Sequence, residues 1–115
     1  MTPDPALLSD LRAALGADAV LVSAEACAPF ECDALTAHRR SPDVVVLPRT
    51  ADEVRSVLRA CRHHGTPVVA RGAGTGLAGE SLGEGLVLDF SRYMRRILAT
   101  DPASVRVQPG VVLSR

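Results

Sequence analysis

The sequence predicts an α/β (α+β) fold organised around one βαβ unit, and three observations carry that expectation. Val44-Val45-Val46-Leu47 is an unbroken apolar run, as required of a strand buried on both faces in a parallel sheet. A helical pattern follows, with Val54, Val57, Leu58 and Cys61 at spacings of three and four. A second apolar run, Val68-Val69-Ala70, then completes the unit, and the crossover joining such strands is right-handed as a rule.

The boundaries of these elements are written in their flanking residues. Pro48 ends the first run, since it has no amide to continue a ladder. Thr50 and Glu53 form a capping box: the threonine oxygen accepts from the Glu53 amide, and the glutamate reaches back to the amide of Thr50. Arg55, Arg59 and Arg62 fall on the opposite, solvated face. Gly65 closes the helix and Pro67 prevents its resumption.

The remaining elements are less sharply patterned. Leu7, Leu8, Leu11 and Leu15 define a helix over Pro5–Leu15 with Gly16 beyond its end, and Val20-Leu21-Val22 is a short strand. Residues 23–42 have no clear period and read as loop with one turn of helix. Leu86-Val87-Leu88-Asp89 is a third strand, and residues 91–97 a short helical turn. Val105-Arg106-Val107 alternates like a strand with one solvated face, before a turn at Pro109-Gly110.

Composition bounds the function. The 115 residues allow one domain, and 47% hydrophobic content supports a buried core. A formal net charge of +0 argues against nucleic acid as a partner. All basic residues are arginine, which excludes lysine-dependent phosphate loops and Schiff-base chemistry. Cys27, Cys32 and Cys61 lack the spacing of a zinc or iron–sulfur site; Cys61 reads as a core residue, and a Cys27–Cys32 bridge has no oxidising context to support it. No leader and no apolar span of membrane length is visible, so a reduced, cytoplasmic protein without a transmembrane segment is expected. His63 and His64 suit the negative end of a helix, His38 reads as a surface residue, and Asp89 as a cap for the following turn. No triad, paired carboxylates or metal set stands out; no catalytic residue and no metal ligand is assigned.

The chemistry concentrates in Arg71-Gly72-Ala73-Gly74-Thr75-Gly76-Leu77-Ala78-Gly79. Gly74 to Gly79 matches GxGxxG, but a dinucleotide fingerprint also needs that loop to open a helix. Residues 80–85 carry no helical stripe, and the next strand begins at once. What remains is a glycine-rich strand-to-strand loop whose amides converge on an anion without a helix dipole. Thr75 adds a hydroxyl donor, and Arg71 a guanidinium at the rim. A hairpin connection with no ligand is the competing reading.

The order PDVVVLPRTADEV, helix, GTPVVARGAGTGLAGESLGEGLVLDFSRYMRRIL and VRVQPGVV resembles the PCMH-type FAD-binding domain of the vanillyl-alcohol oxidase and p-cresol methylhydroxylase family. Within it, the FAD-linked glycolate oxidase subunit and D-lactate dehydrogenase branch is nearest. Glu31-Cys32-Asp33-Ala34-Leu35-Thr36 is similar to the acidic lead-in of that branch. The resemblance covers residues 31–115 as the first part of the domain, with residues 1–30 a helical lead-in.

It implies FAD whose pyrophosphate is wrapped by backbone amides of the glycine loop. The implied cofactor-binding residues are Pro48, Arg71, Gly72, Ala73, Gly74, Thr75, Gly76 and Gly79, with Ser81, Pro109, Gly110 and Val111 as weaker members. Thr75 stands near the place where covalent relatives have histidine, so non-covalent FAD is expected. The resemblance further implies a D-2-hydroxy acid substrate, an electron-acceptor partner and, in some members, an iron–sulfur cluster in a C-terminal region. The second FAD subdomain and the substrate domain of such enzymes would lie beyond Arg115. Whether this chain is itself an enzyme is left open: the alternatives are a small non-catalytic nucleotide-binding module and an inert fragment.

Overall fold

The computed structural model describes residues 3–31, 41–74 and 85–112. Helix α1 (Pro5–Leu15) starts where Asp4 accepts from the Ala6 amide at 2.9 Å and ends at Gly16, where φ is 91°. Leu7, Leu11 and Leu15 are its buried residues. Strand β1 (Val20–Leu21) follows, then the single helical turn α2 (Ala24–Cys27) and a 3₁₀ turn, Ala28–Phe30.

Strand β2 (Val44–Val46) leads into helix α3 (Ala51–His64). Thr50 Oγ1 accepts from the Glu53 amide at 3.1 Å, as predicted. The return bond differs: Glu53 Oε1 accepts from the Arg49 amide at 3.1 Å rather than from Thr50. Arg49 carries the first amide after Pro48, which has none, and that donor needs an acceptor at the helix entry. At the other end Gly65, with φ 68°, makes a Schellman closure in which Gly65 and Thr66 donate to Arg62 and Cys61. The buried stripe of α3 is Val57 and Cys61, with Val54 and Ala60 partly covered. Leu58 departs from the predicted stripe and is 46% exposed, while the adjacent Val57 is fully buried.

Strands β3 (Val68–Arg71) and β4 (Leu86–Asp89) complete a four-stranded sheet of order β1-β2-β4-β3. β4 runs parallel to both neighbours, with Val44 and Val68 each opposite Leu86, and β1 is antiparallel to β2. The two strands of the βαβ unit are therefore not adjacent; β4 lies between them. Residues of β2 and β4 are buried along their whole length, since both have neighbours on each side and helices pack on the sheet. α1 shares this core, so the lead-in is integral to the same packed body.

Strands β5 (Ile97–Thr100) and β6 (Val105–Val107) form a separate antiparallel pair. The helical turn predicted over 91–97 is confined to a turn at 91–93, and the chain is extended from Ile97. Asp101 makes that hairpin: its carboxylate accepts from the Ala103 and Ser104 amides at 2.8 and 2.9 Å and from Ser104 Oγ at 2.7 Å. These bonds pull the Asp101 carboxyl below its ordinary range, the Ser104 hydroxyl contributing most. Val105 is exposed rather than inward-facing.

Candidate cofactor site

Three parallel strands end at one edge of the sheet. Arg71 lies opposite Asp89, and Val46 opposite Leu88, so Pro48, Gly72 and Phe90 emerge close together at the carboxyl ends. Open α/β sheets take their ligands at that edge. Pro48 is fully buried there, and Phe90 extends the β3–β4 pairing by donating its amide to the Arg71 carbonyl at 3.0 Å.

The 109–111 turn comes to the same place. The Gly110 amide donates to the Met94 carbonyl at 2.9 Å, and Val111 donates to Gln108 at 3.2 Å. Gln108 is fixed in turn, donating its amide to Arg96 while its Oε1 accepts from the Arg96 amide at 3.0 Å. A side chain on Gly110 would lie 2.9 Å from the Met94 carbonyl oxygen and closer still to that of Phe90, so only glycine fits. A Cβ on Gly72 would meet the Pro109 carbonyl oxygen at 3.8 Å. The glycine loop and the later turn, both singled out in the sequence, thus adjoin in space.

Arg71 differs most from its predicted place. The sequence puts its guanidinium at the rim, whereas it is 8% exposed and lies under Gly74. Gly74 has φ 73°, and a Cβ there would collide with the Arg71 guanidinium. Phe30 covers the group from another side, its ring centroid 5.6 Å from Arg71 Cζ. The Nη1 atom is buried without a hydrogen-bond partner. Asp89, opposite in the sheet, does not supply one: it caps the next turn, as predicted, accepting from the Ser91 amide at 2.8 Å and the Ser91 hydroxyl at 2.7 Å. A guanidinium with an idle donor, beside the bare α-carbons of Gly72 and Gly74, fits a phosphate diester or pyrophosphate.

Pro48, Arg71, Gly72, Ala73, Gly74, Pro109, Gly110 and Val111 are therefore gathered at one edge of the fold. Thr75, Gly76, Gly79 and Ser81 lie outside the described residues, as does the expectation that no helix follows the loop. Phe30 is the neighbour that sequence reasoning missed, since a lone aromatic in an aperiodic stretch gives no signal of its contact.

Other candidates are accounted for structurally. His64 ties the end of α3 to α1, with Nε2 2.8 Å from Asp10 and Nδ1 3.4 Å from Asp4. Cys27 and Cys61 are free and buried, and burial pushes the Cys61 thiol up to about 11 and raises that of Cys27. Among the described residues no cluster of three or more His, Cys, Asp or Glu is placed to hold a metal. None of their helices is long and apolar enough to cross a membrane.

A parallel α/β edge carrying Gly72, Gly74 and a buried guanidinium whose Nη1 has no hydrogen-bond partner suits the phosphates of a nucleotide cofactor. Residues 42–115 match the FAD binding domain family model, and the chain belongs to that family. It is 43% identical over 96 residues to the glycolate oxidase subunit GlcD of Escherichia coli K12, covering 80% of this chain and 19% of that one. It is 33% identical over 109 residues to the probable mitochondrial D-lactate dehydrogenase of Danio rerio, covering 91% and 22% respectively. The D-2-hydroxyglutarate dehydrogenase of Escherichia coli K12 is 38% identical over 76 residues, 62% of this chain and 8% of that one. Among solved structures, p-cresol methylhydroxylase superposes with a TM-score of 0.73 at 24% identity over 91% of this chain, and alkyldihydroxyacetonephosphate synthase with 0.79 at 19% over 96%. This chain covers 22% and 24% of those two, and about a fifth of the relative it matches at 43% identity.

Proposed function

We propose that this chain supplies the pyrophosphate half of the FAD site in an oxidoreductase acting on a D-2-hydroxy acid. The observation that carries the reading is the approach of Gly72 to the Pro109 carbonyl, two residues before Gly74 rests on the buried Arg71 guanidinium. Backbone amides of Gly72, Ala73 and Gly74 hold the phosphates, with Thr75, Gly76, Gly79 and Ser81 continuing the cradle. Pro48 and the Pro109–Val111 segment wall it at the strand ends. When bound, FAD supplies hydride acceptance, while the protein supplies binding, orientation and exclusion of water.

The substrate class rests on the names of the relatives: glycolate oxidase, D-lactate dehydrogenase and D-2-hydroxyglutarate dehydrogenase all name a carboxylate with an adjacent hydroxyl. Groups that orient the hydroxy acid and take its proton belong to other parts of the intact protein, as does the contact with an electron-accepting partner. Residues 1–30 act as a lead-in to the domain over 31–115. Two buried free thiols accord with work in the reducing cytoplasm.

The test is the visible spectrum of the intact protein after reconstitution with FAD. Flavin bands are expected, bleaching under anaerobic D-lactate or glycolate, and acid precipitation should release the flavin into the supernatant. Absence of flavin bands overturns the cofactor site; bands that neither substrate bleaches overturn the substrate class. Flavin retained in the precipitate overturns non-covalent attachment.

A further inference from the structure

We propose that Arg71, held by Phe30, is the buried counter-charge of the FAD pyrophosphate, so that the lead-in outside the family match takes part in cofactor affinity. This rests on the FAD reading above. One of its donors, Nη1, is buried without a hydrogen-bond partner, and such a donor is costly until an acceptor reaches it. Among the described residues, Asp89, which faces Arg71 across β3 and β4, is spent on Ser91. The charge sits instead beneath Gly74, on the loop that holds the pyrophosphate. Phe30 presents its ring at 5.6 Å, a distance at which a cation is attracted to an aromatic face and kept from swinging out to water.

An arginine that waits for an anion behaves differently from one that braces a fold. Replacing a bracing arginine lowers the stability of the apoprotein. Replacing a waiting one removes a buried idle donor from the apoprotein and costs only the bound state. The two roles therefore give opposite readings of apo stability against affinity.

The experiment measures FAD affinity by flavin fluorescence, together with apo and holo melting temperatures, for the intact protein and its Arg71→Met, Arg71→Lys, Phe30→Leu and Phe30→Tyr variants. Arg71→Met is expected to weaken FAD by about 10- to 100-fold and to flatten the salt dependence of binding, with an apo melting temperature unchanged or raised. Arg71→Lys keeps a charge without the planar fork and is expected to fall between Met and wild type. Phe30→Leu, which keeps apolar volume but not the ring, is expected to lose about three- to tenfold, and Phe30→Tyr to stay within about twofold of wild type. FAD affinity within about twofold of wild type in Arg71→Met overturns the proposal, as does a loss that merely follows a lowered apo melting temperature. Should Arg71→Met fail to fold, the Phe30 pair decides: equal affinities in Leu and Tyr overturn it. Wild-type protein that binds no FAD overturns the cofactor reading together with this one, whereas binding that none of the variants changes overturns this one alone.

Discussion

The carbonyl oxygen of Pro109 lies 3.8 Å from where a side chain would begin on Gly72. That is ordinary van der Waals contact, so the loop and the turn touch without being jammed together. Gly110, the next residue along, has no such room, because backbone oxygens of Phe90 and Met94 fill the space. Gly72→Ala is expected to fold with a melting temperature close to that of wild type. Gly110→Ala should lower it sharply, since neither carbonyl is free to yield. Thermal melts of the two variants side by side check the contrast, and equal effects would contradict it.

Gly74 combines a left-handed φ of 73° with the Arg71 guanidinium directly under its α-carbon. Gly74→Ala should cost about 1–2 kcal/mol from backbone strain alone, and displacing the guanidinium adds to it. FAD titration should show at least about a tenfold loss. Pairing it with Arg71→Met should give less than the sum of the single losses, because the clash is removed.

Thr50 is the side-chain cap of α3, the helix that separates β2 from β3 in the chain. Thr50→Ala removes the acceptor for the Glu53 amide and should destabilise the protein by about 1 kcal/mol, read from a urea midpoint at unchanged slope. Thr50→Ser, which keeps the oxygen, should recover most of it.

Cys61 gives a pH signature. Its thiol rises from an ordinary 9.0 to about 11 in the folded protein because burial disfavours the thiolate. The folded state thus holds this proton more tightly than the unfolded state. The resulting stability is complete below pH 9 and is lost as pH climbs from 9 towards 11. Denaturant midpoints of wild type and Cys61→Ala should therefore converge across that window, and at pH 8 the native thiol should resist a thiolate-selective reagent that labels the unfolded chain.

Much of this fold is readable residue by residue. Helix α3 is bounded by Thr50 and Gly65 because caps act over one turn, and β2 and β4 show as apolar runs because both faces are covered. Strand order is another matter: nothing local in Leu86-Val87-Leu88 says that it enters between two earlier strands. β5 was invisible for the same reason, since Ile97–Thr100 is extended only through its pairing with β6 and the turn that Asp101 builds. The glycines of the site are conspicuous in the sequence because backbone conformation demands them. Arg71 is not, for a charged residue reads as surface until a tertiary contact such as Phe30 covers it.

The insertion of β4 between β2 and β3 also sets an order of events during synthesis. When residues 44–71 have left the ribosome, the segments of β2 and β3 both still lack β4, the parallel neighbour they share in the finished sheet. The register that aligns the carboxyl ends at the cofactor edge runs through Leu86–Asp89 on both sides, so it requires that segment to have emerged. The nascent chain must carry its most apolar segment, Val44–Val46, unpaired on that side through the whole glycine-rich stretch. That interval is where chaperone capture or misassociation would act, and a codon-level slowdown after residue 71 would lengthen it.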